Sequence, residues 1–426
     1  VYIATTRYKF NDHKPGLYKS IDYGKSWKKI DNGIPNHAFT RVVREDDVRK
    51  DLLFAGTENG MFISWNGGAT WQTMQLNLPQ CPITDLKIHK GDLIAATSGR
   101  SFWILDDLSI FRQTQGLDNK FMLYQPENNY IVSGNSPMNQ SNDNFSGMGG
   151  SGINAANGIV IYYNLPAIKS GKPLKLHIKN KNNEIIRTIT SEKDSTYTEW
   201  EGGPKANPTL SVKKGLNRFV WDMRHAPMIG IPNVYYEASF RGHKAMPGTY
   251  EFVLEYDGES STTKAEILLN PLYPSTPSDY ATYHTFMQEM ENNVNEMHKM
   301  VNDLYSKNEK LSNFLNTIKT EEKHKELHKN GQILSDKIKA FDNDMVQRLS
   351  KAYDDVENHL NKFTSNYMYI LNQTESEIPV VTKGAQEEKA KHDLIWQKLK
   401  ARGQELINKD LPAYNQQICV SGIGTI

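Results

Sequence analysis

Two short stretches of this chain repeat each other, and they limit its folds more than anything else in it. In SIDYGKSWKKI, Ser20, Asp22, Gly24 and Trp27 stand at offsets zero, two, four and seven. In SWNGGATWQTM, Ser64, Asn66, Gly68 and Trp71 take the same offsets 44 residues later. A short acid or amide can bond backbone two residues on, glycine tolerates a left-handed φ, and an indole is a large apolar anchor. Each stretch therefore predicts a hairpin between two strands, its turn locked by a side chain. The match extends upstream, where Gly16-Leu17-Tyr18 precedes one copy and Gly60-Met61-Phe62 the other. A further layer recurs as YIAT at 2–5, LFAGT at 53–57 and LIAAT at 93–97.

A period of about 40–50 residues with several short strands in each is the pattern of propeller blades. The two stretches resemble the Asp-box, or BNR repeat, of sialidases and sortilin-type sorting receptors. A third unit, SGRSFWILDDLSIFRQ at 98–113, lacks the box. It resembles the closing propeller segment of bacterial proteins usually named glycosyl hydrolase or BNR-repeat proteins, the matching residues being Gly99, Arg100, Phe102, Trp103, Asp106 and Asp107. The resemblance implies that residues 1–125 are the C-terminal blades of an Asp-box β-propeller. Two or three blades cannot close a wheel of four to eight. Val1 also stands inside an expected strand. Both point to a piece of a larger protein, with the remaining blades upstream.

Beyond residue 125 the character changes twice. An Asn-, Ser- and Gly-rich loop over 134–158 is expected to be extended or mobile, with a composition that looks disordered. Strands are expected at 158–166, in two runs within 173–191 about an Asn-rich turn at 180–183, at 216–227, and at 247–271 about Asp257-Gly258. This alternation predicts a β-sandwich over 126–275. Gly215, Asn217, Phe219, Trp221, Asp222, Pro247, Gly248 and Tyr250 resemble the immunoglobulin-like module of flagellar hook-capping proteins. Residues 276–426 predict a three-helix bundle with an apolar tail, QICVSGIGTI. Ser278-Asp279 and Thr320-Glu321-Glu322 mark helix starts. Apolar residues from Ile333 through Leu334, Ile338, Phe341, Met345, Leu349, Tyr353, Val356 and Leu360 recur at helical steps, and a third helix over 385–408 carries Leu394, Ile395, Leu399 and Leu406. The expected fold class is thus multidomain and mainly β with an α C-terminus: partial propeller blades, an immunoglobulin-like sandwich and a helical bundle.

Charge excludes one class of partner. The chain has 50 Lys and Arg against 49 Asp and Glu, so no global field attracts nucleic acid or an anionic membrane. No apolar run is long enough for a transmembrane helix. Cys81 and Cys419 are too few for a disulfide framework and are read as unpaired.

Candidate chemistry is sparse. In the resembled folds the Asp-box lies on blade turns, so Ser20, Asp22, Gly24, Trp27, Ser64, Asn66, Gly68 and Trp71 read as structural. Sialidase chemistry needs an arginine triad, and Arg7, Arg41, Arg44, Arg49, Arg100 and Arg112 lack the Arg-Ile-Pro setting. Asp106 and Asp107 are adjacent, but neighbours on a strand face opposite ways, which favours a turn role over a glycosidase pair. GMGGSG at 147–152 matches G-x-G-x-x-G without the strand, helix and acid the fingerprint requires. His324 and His328 have metal-sharing spacing but read as a solvated helix face. Asp222 and Arg224 read as an ion pair on one strand face, beside Trp221 and His225. Tyr23, Trp65, Arg100 and Trp103 are the candidate binding residues, with Tyr235, Tyr236 and Phe240 also near turns. No catalytic residue, metal ligand or cofactor is expected.

The expected function is a non-catalytic binding or scaffolding part of an exported bacterial BNR-repeat protein. It would engage a protein or glycan partner in the periplasm, outer membrane or surface of a Gram-negative envelope. A glycoside hydrolase with its catalytic residues in upstream blades, and an accessory subunit of an outer-membrane complex, are the alternatives.

Overall fold

The computed structural model describes residues 1–114, 119–132 and 155–422. Most of the loop expected over 134–158, all of GMGGSG and the last four tail residues lie outside these. The chain divides into two compact units. One comprises Val1–Glu127, Val160–Ser170 and Ser211–Val220; the other comprises Asn128–Ile159, Gly171–Leu210 and Trp221–Ile426.

In the first unit the repeats become three small antiparallel meanders. Strands β1 (Tyr2–Ala4), β2 (Leu17–Lys19) and β3 (Lys28–Lys29) form the first. The second is β4 (Thr40–Glu45), β5 (Leu53–Thr57), β6 (Gly60–Ser64) and β7 (Gln72–Thr73). The third is β8 (Ile83–His89), β9 (Asp92–Thr97) and β10 (Phe102–Leu105). The middle sheet is buried on both faces. Successive side chains on a strand point opposite ways, so Val43, Leu53, Ala55 and Phe62 join a core with Leu17 and Ile30 of the first meander. Their neighbours Val42, Phe54, Met61 and Ile63 join a second core with Ile83, Leu86, Leu93 and Ala95 of the third. Helix α1 (Ser109–Gln113) follows β10, and the unit also takes in a sheet of β11 (Met122–Leu123), β13 (Ile159–Leu165) and β16 (Gly215–Trp221).

The second unit holds a five-stranded sheet in the order β12 (Asn129–Tyr130), β18 (Glu259–Leu268), β17 (Gly248–Tyr256), β14 (Leu174–Lys179) and β15 (Ile185–Thr190). Both expected turns are there. Asn180 accepts from the amides of Asn182 and Glu184 at 2.9 and 3.0 Å between β14 and β15. Asp257 and Gly258 have φ of 50° and 83° between β17 and β18, the double positive φ of a two-residue hairpin. Trp221 is fully buried, edge-on to Tyr250 and Phe252.

The helical region differs from expectation in its joints. Helix α2 (Pro277–Ile318) starts one turn-residue earlier than Ser278-Asp279 implies, because Thr276 is the cap. Its hydroxyl and Asp279 satisfy each other's backbone amides, and Pro277 occupies the first helical position, where a missing N–H costs nothing. The helix expected to start at Thr320-Glu321-Glu322 and run on through the Ile333–Leu360 stripe stops at Met345: the structure has α3 (Lys325–Met345) and then α4 (Phe363–Ser376). Leu349, Tyr353 and Leu360 are exposed between them, and Arg348 turns back onto Asp342 with two bonds of 2.6 and 2.7 Å. Helix α5 (Lys383–Glu405) buries Trp396, whereas Leu394 and Ile395, its expected apolar face, are exposed. Helix α6 (Leu411–Val420) holds the first four residues of the tail, Gln417–Val420. No helix among the described residues is long and apolar enough to cross a membrane.

Candidate functional site

The box residues are occupied with their own turns. Ser20 Oγ accepts from the Gly24 amide at 2.7 Å and donates to Asp22 Oδ1 at 2.8 Å. Asp22 then accepts from the Ser26 amide and hydroxyl at 2.9 and 2.6 Å, four residues on rather than the expected two. These bonds, chiefly from the Ser26 side chain, pull its carboxyl down to about 2. The second copy repeats this pattern, except that Asn66 Nδ2 donates to the Thr70 hydroxyl at 2.9 Å where Asp22 accepts from Ser26. Ser64 Oγ accepts from the Gly68 amide at 3.0 Å and donates to Asn66 at 2.9 Å, and Asn66 accepts from the Thr70 amide at 3.0 Å. Residues 26 and 70, both hydroxylic, belong to the motif and escaped the sequence reading.

The tryptophans diverge. Trp71 is 4% exposed, its indole N–H donates to the Ile30 carbonyl, and its amide donates to Asn32 at 2.9 Å, so it staples the second meander to the first. Gly33 lies so close beneath it, at φ 104°, that a Cβ there would come within 2.3 Å of the Trp71 carbonyl. Trp27 is 41% exposed and does not bury as expected.

Of the four candidate binding residues, Tyr23 is 97% exposed and Arg100 is exposed. Trp65 is half-buried and donates to the Phe111 carbonyl at 3.1 Å; Trp103 donates to the Arg100 carbonyl at 2.8 Å. Arg100 and Trp103 are thus brought together, while Tyr23 and Trp65 sit on separate turns. Asp107 is a turn residue with φ of 60°, accepting from the Ser109 amide at 2.9 Å. Tyr236 and Phe240 are core. His324 is buried rather than solvated, and it precedes α3 instead of sharing a face of it with His328.

A different group converges in the second unit. β16 ends at Trp221, and Met223 adopts a positive φ of 55°, which breaks the alternation expected to pair Asp222 with Arg224. Asp222 instead pairs with Arg187 at 2.6 Å, and Arg224 turns inward to Glu375 of α4 at 2.6 Å. Tyr283 of α2 donates to the other oxygen of Glu375. An isolated bridge joins Arg224 to Lys244, and the His225 amide bonds the His243 carbonyl at 3.0 Å. Gly242 permits this approach, since a Cβ would stand 2.5 Å from the carbonyl oxygens of His225 and Ala226.

The result is a cavity of about 210 Å³ walled by Leu371 and Ile378, with Arg224, Arg241, Lys244 and Glu375 around it. Ser239 and Asn372 supply neutral polar groups at its edge. Lys244 is 7% exposed and donates to the Val132 carbonyl, with no carboxylate partner among the described residues. Burial first, and the nearby Arg224 second, push its ammonium down to about 8. Three cations against one carboxylate make a site for an anion.

On the other side of the Arg224–Lys244 bridge, His225 and His243 meet His284 and Glu291 of α2. Burial drives His225 down to about 2 and His284 to about 4. No metal ligand was expected at His225; His243 comes from a loop and His284 and Glu291 from one face of α2, with no local signature linking the two segments.

No protein family matches the chain, and no curated protein does. Among solved structures, an ancestral GH74 enzyme is 17% identical over 38% of this chain and 20% of its own, with a TM-score of 0.20. The extracellular domain assigned to a hybrid two component system from B. thetaiotaomicron is 12% identical over 60% of this chain and 29% of its own, with a TM-score of 0.19. The chain thus spans about a fifth to a third of the length of these structures, and likenesses at TM-scores near 0.2 carry no information on its fold or function.

Proposed function

We propose that this chain is a binding protein that takes a small anionic group, a carboxylate or its equivalent on a glycan or peptide, in the cavity beside Lys244. One observation carries the reading: a nearly buried ammonium with no carboxylate partner among the described residues faces a cavity that Arg241 and the Arg224–Glu375 pair make net positive. A buried cation is costly unless something compensates it, and an incoming anion does so. The repeated turns, whose polar side chains are consumed in pinning their own loops, support a scaffolding role for the meanders. We read these meanders as consecutive blades of an Asp-box propeller and the five-stranded sheet as part of an immunoglobulin-like module. With them comes the exported, envelope-associated setting of the bacterial proteins that the boxes resemble.

Titration with N-acetylneuraminate, glucuronate and inorganic sulfate, followed by calorimetry, tests the proposal. Binding of at least one is expected near pH 7, weakened tenfold or more in Lys244→Met. It should fall about tenfold per pH unit above about 8 as Lys244 deprotonates. No binding by any of the three, or equal binding in the variant, overturns it.

A further inference from the structure

The three histidines beside the cavity form a group of their own. His243 is 1% exposed, and its ring is held from one side: the Glu291 carboxylate accepts from its amide at 2.6 Å and lies 2.9 Å from its Nδ1. A carboxylate on Nδ1 fixes that nitrogen as the N–H, so Nε2 presents a lone pair. That lone pair points at His284 Nδ1, 2.7 Å away. His284 and Glu291 lie seven residues apart, two turns of α2, and so share a face. His225 completes the set, its ring stacked on His243 with centroids 4.1 Å apart and planes 12° apart. One nitrogen from each ring lies within 4.8 Å of the others.

We infer that His225, His243 and His284 bind a divalent zinc-type ion, with Glu291 orienting His243 from behind. Three features favour this over a chain of hydrogen bonds. A carboxylate–histidine pair aimed at further imidazoles is the arrangement that metal-ligating histidines adopt. Three neutral nitrogen donors with a fourth position open suit zinc's tetrahedral preference. Zinc–nitrogen bonds of about 2.0–2.1 Å set nitrogens about 3.3 Å apart in a tetrahedron, so the 2.7 Å pair need open by only about 0.6 Å. Nearby positive charge opposes a cation, but Arg187, the permanent cation acting on His225, is matched by Asp222 and Arg224 by Glu375, which leaves Arg241 and Lys244 against Glu291. The site is distinct from the anion cavity and does not depend on it.

The test is a Co²⁺ titration of tag-free chain after dialysis against a chelator, read by visible ligand-field absorption and by thermal unfolding. Expected are one equivalent bound at micromolar free Co²⁺, displacement by Zn²⁺, and a metal-dependent rise in Tm. Glu291→Gln should weaken binding by about 10–100-fold, the range for outer-shell partners of metal-ligating histidines. His284→Ala should abolish it, and so should His225→Asn; both side chains are half-buried, and circular dichroism of each checks that the fold survives. No uptake by folded wild-type chain would mean that Glu291, His243 and His284 are a plain hydrogen-bonded chain. Unchanged uptake in both histidine variants would place the metal elsewhere. Either result overturns the inference.

Discussion

Replacing each box tryptophan by alanine distinguishes a repeated staple from a repeated motif. The two residues occupy the same offset of the same turn, so local conformation predicts equal effects. Packing predicts a large difference. Exposure of 41% at Trp27 against 4% at Trp71 corresponds to about 90 Å² of a side chain of about 250 Å², or about 2 kcal/mol at 25 cal/mol per Å². The Trp71 indole also gives up its bond to the Ile30 carbonyl, adding about 1 kcal/mol. Trp71→Ala should therefore cost about 3 kcal/mol more than Trp27→Ala, within the range of about 3–5 kcal/mol for emptying a buried tryptophan site. Urea unfolding monitored by hydrogen exchange at 17–29 and 53–73 isolates the two affected meanders, which matters because two compact units need not unfold together. Equal losses at the two positions would show that the indole acts within its own turn, and the stapling argument would fail.

Three further outcomes are expected. Ser64→Ala leaves the buried Gly68 amide without its acceptor and should lower stability by about 1–3 kcal/mol, measured by thermal melting. Glu375→Gln strands Arg224 as a buried cation and should cost about 3 kcal/mol or more in denaturant unfolding. The ammonium of Lys244, lowered in the folded state to about 8 from 10.5, makes the unfolded chain hold more protons between those values. Stability should therefore rise with pH across that window, by up to about 3 kcal/mol, and the rise should vanish in Lys244→Met.

What was legible in the sequence was local. Turns announced themselves because Asn180 and the two boxes carry side chains that bond within four residues, and because Asp257-Gly258 tolerate the double positive φ of a two-residue hairpin. The strand runs followed, since a period of two needs only a few residues to show. Helix faces were harder to read. Leu394 and Ile395 look like part of a buried stripe, yet it is Trp396 that faces the core, stacked beside Phe363. The break after Met345 carries no glycine or proline; it is made by Arg348 reaching back to Asp342, a contact no spacing rule encodes. Of the candidate site, only Arg224 and His225 drew notice, in a strand context that the positive φ of Met223 removes. Lys244, His243, His284, Glu291 and Glu375 come together through a loop and two helices far apart in the chain.

The direction in which Trp71 reaches has an effect on biogenesis. It grips a carbonyl 41 residues earlier in the chain, never one still to come. During synthesis from the N-terminus, its docking surface has already emerged when the indole arrives. The second meander can then be sealed onto the first as it is made, without a long wait exposed to neighbouring nascent chains.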